Sequence, residues 1–363
     1  MSEKFTKTAV LTGGGTAGHC IPALAVAEEL KRRGYKCEYI GSENGMEKKL
    51  ATEKGLPYHG VPCAKLERRL ALKNLGVPFT LLRGISAARK VLEKIKPAVV
   101  FSKGGYVSLP TVLAAAELKI PVALHESDLT PGLANKIALK KASVLLTGFK
   151  TTAEEYPRAV FTGSPLRKEL FARVNVAQAK QEYGFNGDKK VLLIIGGSQG
   201  AGAINDITRK TLDELLKNYF VLHASGKGKK SDVKKDGYFE TDYITDMAKA
   251  YALADICVTR GGANALSEIV ALKKPALCIP LPKKNSRGDQ IDNANYYLKR
   301  SAINVLYEEN LTAQSFLSAI KNTDKYSGTL RIACGRCAIE NPVQKIADEI
   351  DKIARTVSAS SQV

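Results

Sequence analysis

The chain has 363 residues, 44% of them hydrophobic, with 55 Lys and Arg against 36 Asp and Glu for a formal net charge of +19. That is enough chain for two domains that each bury a core, and the composition reads as soluble and globular. No apolar run reaches the about 18 residues a membrane span needs, so a bilayer-crossing protein is excluded. The positive charge implies an anionic partner such as a nucleotide, a phospholipid surface or a nucleic acid; the plainer reading is solubility through charge. Seven cysteines are scattered at 20, 37, 63, 257, 278, 334 and 337. An odd, dispersed set reads as reduced core thiols in a cytoplasmic protein. Cys334 and Cys337 form one CxxC, but no second pair or nearby histidine completes a zinc site, so no metal is expected. A strand begins almost at once, which leaves no room for a signal peptide.

In chain order, the apolar run Thr8 to Leu11 leads into the glycine stretch Leu11 to Ala23 and then a helical pattern ending near Gly34. Strand, glycine turn and helix in that order make an anion site: the backbone can approach a ligand closely and the first helical N–H groups point at it. Gly13, Gly15 and Gly18 formally satisfy GxGxxG, but the second strand, Cys37 to Ile40, ends in Gly41-Ser42 with Glu43 the only candidate ribose acid, which disfavours NAD. His19 stands where the turn becomes helix. An imidazole there can take a proton from a hydroxyl near neutral pH, or it simply packs the loop.

Residues 65 to 103 carry ten Lys and Arg against Glu67 and Glu93, interleaved with Leu70, Leu72, Leu75, Val77, Phe79, Leu81, Leu82 and Ile85. A greasy patch ringed by cations suits an anionic membrane surface; the alternative is a core-facing helix with a charged back. The strand Ala98 to Phe101 runs into the turn Lys103 to Ser108. The strand Val122 to Leu124 runs into His125-Glu126-Ser127-Asp128, with Asn135 on the next segment. Polar residues at consecutive strand ends line the ligand edge of a parallel sheet, although Ser127 or Asp128 can also cap a helix.

Turn residues at Thr162 to Arg167 precede a second β/α series, VLLII, FVLHAS, DICVTR, PALCIP and INVLY. Its first strand ends in the glycine turn Gly196 to Gly200. Its third leads into Arg260 to Glu268, again a glycine turn opening a helix. Glu268 can hold ribose hydroxyls, or be an exposed helix acid. Asp289 and Gln290 can hydrogen-bond sugar hydroxyls, or lie in a solvated loop. Asn341-Pro342 breaks the chain, and Val343, Ile346, Ile350 and Ile353 predict a last amphipathic helix that packs across the junction or on the first domain. The expected fold is α/β: two Rossmann-like domains with parallel sheets facing across a cleft, at residues 1–163 and 164–341, with a C-terminal helix at 342–363 crossing back towards the first.

The stretches GGGTAGHCIPALAVA, KGGYVSLP, HESDLTPGLANK, GSPLR, GGSQGAGAIN, MAKAYALAD, RGGANALSE and SRGDQIDNA, in order over nearly the whole chain, resemble the MurG family of peptidoglycan N-acetylglucosaminyltransferases. The resemblance implies a GT-B glycosyltransferase that inverts the sugar without a metal or other cofactor. Its substrates would be UDP-N-acetylglucosamine and lipid I, its product lipid II, and its place the cytoplasmic face of the cell membrane as a peripheral protein. It assigns the UDP-sugar to the second domain: Glu268 to the ribose, Ser198 and Gln199 to the diphosphate, Arg167 near the phosphates, and Gln290 beside Asp289 to the sugar hydroxyls. Asn205 is a polar position important in the family. Thr16 and His19 match the first loop, and Tyr106, His125, Glu126 and Asn135 match acceptor-side positions. Gly18, Asp128, Ile244, Ala263 and Asn264 complete the substrate-binding set. The chain departs from the family at Glu126-Ser127-Asp128, where E-Q-N is common, and at Asp289-Gln290, where two glutamines are common.

The resemblance leads to attack of the acceptor's muramyl 4-hydroxyl on the anomeric carbon, with His19 as base and Glu126 as the alternative. The rivals are a glycolipid synthase of the same superfamily acting on diacylglycerol, a GT-B-fold UDP-sugar 2-epimerase that needs no lipid, and a non-catalytic nucleotide-binding membrane adaptor. Nucleic acid is not expected, because the charge clusters without stacking aromatics.

Overall fold

The computed structural model describes residues 7–65, 76–197 and 199–360. The chain divides into two compact units. The first runs to Arg167 and regains the chain from Glu340 onward; the second is Lys168–Ile339.

The first unit is a seven-stranded sheet: β1 (Lys7–Thr12), β2 (Tyr35–Ser42), β3 (Tyr58–Val61), β4 (Val99–Ser102), β5 (Val122–Glu126), β6 (Val144–Thr147) and β7 (Ala159–Phe161). The order is β3-β2-β1-β4-β5-β6-β7, parallel throughout. β4, β5 and β6 are buried along their whole length, which is why they read as continuous apolar runs. Helices α1 (Ala17–Arg32), α2 (Met46–Glu53), α3 (Val77–Ile95), α4 (Leu109–Glu117), α5 (Leu133–Leu139) and α6 (Lys150–Glu155) connect them. Ala88 and Leu92 of α3, Val112 and Ala115 of α4 and Ala138 of α5 share one core on one sheet face. The other face packs on Ala23, Val26 and Leu30 of α1, together with Ile346, Ala347, Ile350 and Ala354 of a helix from the chain's other end.

The second unit is a parallel sheet of β8 (Lys190–Ile195), β9 (Tyr219–Ala224), β10 (Tyr238–Thr241), β11 (Ile256–Thr259), β12 (Ala276–Cys278) and β13 (Asn304–Val305), in the order β10-β9-β8-β11-β12-β13. Around it lie α7 (Val176–Glu182), α8 (Gly202–Lys210), α9 (Leu212–Asn218), α10 (Met247–Leu253), α11 (Ala263–Ala271), α12 (Asp289–Leu298), α13 (Ala313–Lys325) and α14 (Ser327–Cys337). The last helix, α15 (Pro342–Ser360), returns to the first unit. Its apolar stripe is buried against α1, and each buried Ile contributes about 1.5–3 kcal/mol. Arg33 adds charged hydrogen bonds to Asp348 at 2.7 Å and Asp351 at 2.8 Å, and the Tyr35 hydroxyl donates to Asp351 at 2.6 Å.

Three strands are absent from the sequence reading: β3, β7 and β10. All three are edge strands of three or four residues, only partly buried; β3 and β10 carry no apolar run, and the three apolar residues of β7 are too few to stand out. In both units the strand order reverses at one point, between β1 and β4 and between β8 and β11. Ligands of open parallel sheets bind beyond the carboxyl ends of the strands at such points. The glycine turns after β1 and β8 stand there.

Candidate active site

In the first unit the turns after β1 and β4 interlock. Gly105 adopts φ +83°, and a methyl group added there would lie 2.7 Å from the Gly14 carbonyl oxygen and 3.1 Å from Cδ2 of His19. Only glycine lets the two loops touch. Buried groups fix the first loop from below. The Tyr39 hydroxyl donates to the Gly13 carbonyl at 2.6 Å. Glu47, 1% exposed, accepts the Gly15 N–H at 3.4 Å and the Ser42 N–H and hydroxyl. Neither Tyr39 nor Glu47 figures in the sequence reading.

His19 sits in the first turn of α1 with Nδ1 3.1 Å from the exposed Thr16 hydroxyl. Burial, helped by the charge of Lys103, pushes its pKa down to about 3, so the ring is neutral at pH 7. Tyr106 closes over the same loop: a methyl group at Gly15 would meet its ring at 2.6 Å. Gly18 is half-buried in α1.

The loop after β5 is held by Glu126. One of its oxygens accepts the Asp128 N–H at 2.9 Å; the other accepts the Gly132 N–H at 3.2 Å and the Asn135 amide at 2.8 Å. Burial and the neighbouring Asp128 raise its pKa, against these hydrogen bonds and Lys103. Both oxygens are committed to shaping the loop. His125 is fully buried and donates from Nε2 to the Gly163 carbonyl at 2.9 Å. Asn135 is also buried. The sequence reading placed both among ligand contacts; the structure puts the ring of His125 in the core, anchoring the turn before Arg167. Asp128 and Arg167 remain half-buried at the ends of their loops.

In the second unit, Gly200 at φ +67° crosses the loop after β9 so closely that a methyl group would fall 2.0 Å from the Ser225 carbonyl oxygen. Gln199 is exposed beside it; Ser198 lies outside the described residues, as do the patch members Glu67, Leu70, Leu72 and Leu75. Asn205 does not face outward. It is buried, with its amide donating to the Ser225 carbonyl at 2.8 Å and its oxygen 3.0 Å from Nε2 of His223. That fixes the tautomer: His223 donates from Nε2, and Nδ1 accepts from the Tyr238 hydroxyl at 2.9 Å. Asn205 therefore shapes the glycine crossing.

The turn after β11 is tied to α12. Oε1 of Gln290 accepts the N–H of Gly261 and of Leu281, both at 3.1 Å, and the Asn293 amide donates to the Gly261 carbonyl at 3.1 Å. Ala263 is buried at the start of α11, with Asn264 half-buried after it and Ile244 buried after β10. Glu268, half-buried on α11, accepts a hydrogen bond at 3.0 Å from the buried Tyr251 hydroxyl of α10, which orients the carboxylate. Tyr251 lies inside the MAKAYALAD stretch but carries no sequence signal of its own. Asp289 lies 3.6 Å from Arg287.

Side-chain caps are few: α3, α4, α5, α6 and α14 start with neither a side-chain cap nor a first-turn acid. α1, α8 and α11, which follow the glycine turns, have no side-chain cap and no acid in the first turn. α7, α10 and α13, elsewhere in the second unit, are capped by Asn175, Asp246 and Thr312. A cap at the turn helices would compete with an anion for the same N–H groups. Among the described residues no group of three or more potential metal ligands occurs.

Two parallel α/β units, each with an uncapped glycine-turn helix at its switch point, define a GT-B glycosyltransferase. The model of the glycosyltransferase family 28 N-terminal domain matches residues 9–147, and that of the family's C-terminal domain matches residues 191–350. A UDP-N-acetylglucosamine–N-acetylmuramyl-(pentapeptide) pyrophosphoryl-undecaprenol N-acetylglucosamine transferase of Lachnospira eligens is 44% identical over 98% of this chain and 100% of its own. One of the same name from Clostridium perfringens is 42% identical over 95% and 98%. The crystal structure of MurG from Acinetobacter baumannii superposes with a TM-score of 0.75 at 25% identity, covering 95% of this chain and 99% of that one. The chain belongs to glycosyltransferase family 28 and, within it, to the MurG family.

Proposed function

We propose that this protein transfers N-acetylglucosamine from UDP-N-acetylglucosamine to the undecaprenyl-pyrophosphoryl-N-acetylmuramyl-pentapeptide acceptor, lipid I, giving lipid II. The observation that carries the reading is the 44% identity, over the full length of a relative bearing that name. The muramyl 4-hydroxyl oxygen bonds to the anomeric carbon as the bond from that carbon to the UDP oxygen breaks, and the hydroxyl proton passes to His19. With Nδ1–H donating to Thr16, Nε2 of His19 carries the lone pair that takes it. The ring is a weak base in the free protein; the anionic diphosphates of bound substrates raise its proton affinity. Tyr106, Asp128 and Asn135 serve the acceptor side.

The second unit holds the donor. Uncapped N–H groups at α8 and α11, with Ser198, Gln199 and Arg167, stabilise the charge developing on UDP, and Glu268 binds the ribose. Gln290 and Asp289 read the sugar. Gly18, Ile244, Ala263 and Asn264 complete the substrate-binding set, with Asn205 shaping the glycine crossing beneath it.

The protein works as a peripheral protein on the cytoplasmic face of the membrane, and nucleic acid is not a partner. Phe79 and Leu82 of α3 are 72% and 64% exposed; Leu133 and Ile137 of α5, on the same side of the sheet, are 58% and 41% exposed. Arg83, Lys90, Lys136 and Lys140 are exposed among them. Apolar side chains ringed by cations favour an anionic lipid surface. Among the described residues no helix is long and apolar enough to cross a membrane. The seven free cysteines suit a reducing compartment. The test is transfer from labelled UDP-N-acetylglucosamine to a lipid I analogue in vesicles with chelator present, read by product mass. Gain of one N-acetylhexosamine supports the reading; turnover of diacylglycerol instead, or of UDP-sugar without acceptor, overturns it.

A further inference from the structure

Lys103 directly follows β4 in the first unit's candidate site and is 3% exposed. Its Nζ donates to the Ser127 hydroxyl at 2.6 Å, so the β4 turn is tied to the β5 loop. Its backbone N–H donates to the Thr12 carbonyl at 2.9 Å, and a methyl group at Gly13 would meet its Cβ at 3.1 Å, so the same residue abuts the first glycine turn. Two residues on, Gly105 lies against the ring of His19.

A buried ammonium is costly unless the surroundings need it. Here the charged groups are arranged around it. Glu126 and Asp128 face it from the β5 loop and favour the cation. His19 from α1 and His125 from β5 both feel its charge, which disfavours their protonated forms. Glu47 from α2, Cys20 from α1, Tyr39 from β2 and Tyr106 from the β4 turn are further titratable groups packed about the first loop. Burial brings the Lys103 pKa down to about 8, which leaves it mainly protonated at neutral pH.

We propose that Lys103 is a positioning residue for the transfer reaction: its buried ammonium holds the Ser127–Asp128 loop against the glycine turn beside His19. This rests on the reading of His19 as the base. Asp128, a carboxylate where the family commonly has an amide, then has its counter-cation in the same cluster.

The experiment uses the full chain with 13C-labelled histidine. Its four histidines, at 19, 59, 125 and 223, are few enough to assign with His19→Gln. In the wild type, His19 titrates far below the ordinary value of 6.5. In Lys103→Met its midpoint moves upward, the acidic limb of kcat/KM moves to higher pH with it, and kcat falls about 10- to 100-fold. Lys103→Arg, which keeps the charge, leaves the His19 midpoint in place. Ser127→Ala, which keeps the ammonium and removes its hydrogen bond, lowers kcat without moving the midpoint, and serves as the second probe should Lys103→Met not fold. A folded Lys103→Met with wild-type midpoint and kcat overturns the proposal, as does a Lys103→Arg that behaves like Lys103→Met. The histidine titration needs no turnover. Absence of lipid I transfer by the wild type would therefore break the functional reading while the effect of Lys103 on His19 was still measured.

Discussion

The two units share a sheet topology, yet their glycine turns are furnished differently. Around the turn after β1 lie His19, Glu47, Lys103 and Glu126, buried or strongly desolvated ionisable groups. The turns after β8 and β11 are built from backbone N–H groups, a crossing of glycines and amides locked by Asn205, Gln290 and Asn293, with Glu268 at one side. In the function proposed here the first arrangement serves a proton acceptor and the second an anion that gains charge as it leaves. A shared strand order about the switch point is thus compatible with the two proposed chemistries, because the switch point itself supplies only backbone N–H groups.

The strongest break of this comparison is His19→Ala. Transfer should fall about 10²- to 10⁴-fold, while the affinity for UDP measured by calorimetry stays at the wild-type value. Equal loss of both would mean that the first turn binds nucleotide too. Gly200→Ala should act oppositely. The new methyl group meets the Ser225 carbonyl in a left-handed backbone conformation, at a cost of about 1–3 kcal/mol for the conformation alone. UDP affinity and the thermal midpoint should both drop, while the His19 titration stays unchanged. Glu268→Ala should cost the bond of a charged group, about 1.5–3 kcal/mol of nucleotide affinity. The sharper readout is discrimination: the wild type should prefer UDP to its 2′-deoxy analogue, and the variant should lose that preference. Retained preference would move the ribose contact elsewhere.

These assignments were unequally legible in the sequence. The central strands announce themselves because burial on both faces demands continuous apolar residues, and the glycine turns because close loop approach tolerates nothing larger. Glu47, inside MEKKLATE, plays no part in the sequence reading, and Lys103 enters it only as one of ten cations and as the first residue of a turn. A charged side chain reveals its burial only when distant segments fold over it, and local pattern carries no such information. His125 and Asn205 were recognisable as polar residues near strand ends, but their direction was not. His125 donates to the Gly163 carbonyl and Asn205 to the Ser225 carbonyl, so each is tied to the backbone of a turn. Tyr251, which orients Glu268 from another helix, was hidden for the same reason.

The smallest expected effect tests whether titration in the second unit belongs to stability rather than chemistry. His223 is fully buried; burial pushes its pKa down to about 4, aided by Arg209 and opposed by Glu240. Unfolded, it titrates near 6.5, so between about pH 6.5 and 4 the unfolded chain binds a proton that the folded chain refuses. Stability must therefore fall as pH drops through that window, by at most about 1.4 kcal/mol per pH unit for this group. Glu240 adds a second decline at lower pH. Burial opposes its ionisation, but hydrogen bonds from Ser231 and Arg209 hold its pKa down to about 2, so its contribution is present above about 4.5 and disappears as pH falls towards 2. His223→Gln keeps a donor for Asn205 and an acceptor for Tyr238 without a titrating ring. Urea unfolding of this variant should show a shallower loss of stability between pH 6.5 and 4, with the steeper decline below 4.5 preserved and the acidic limb of kcat/KM unmoved. An unchanged slope would mean that His223 is already protonated in the folded state, with Glu240 3.8 Å away as its counter-ion. The second unit would then hold a buried charge pair of its own, and the contrast between a proton-handling unit and an anion-holding one would fail at that position.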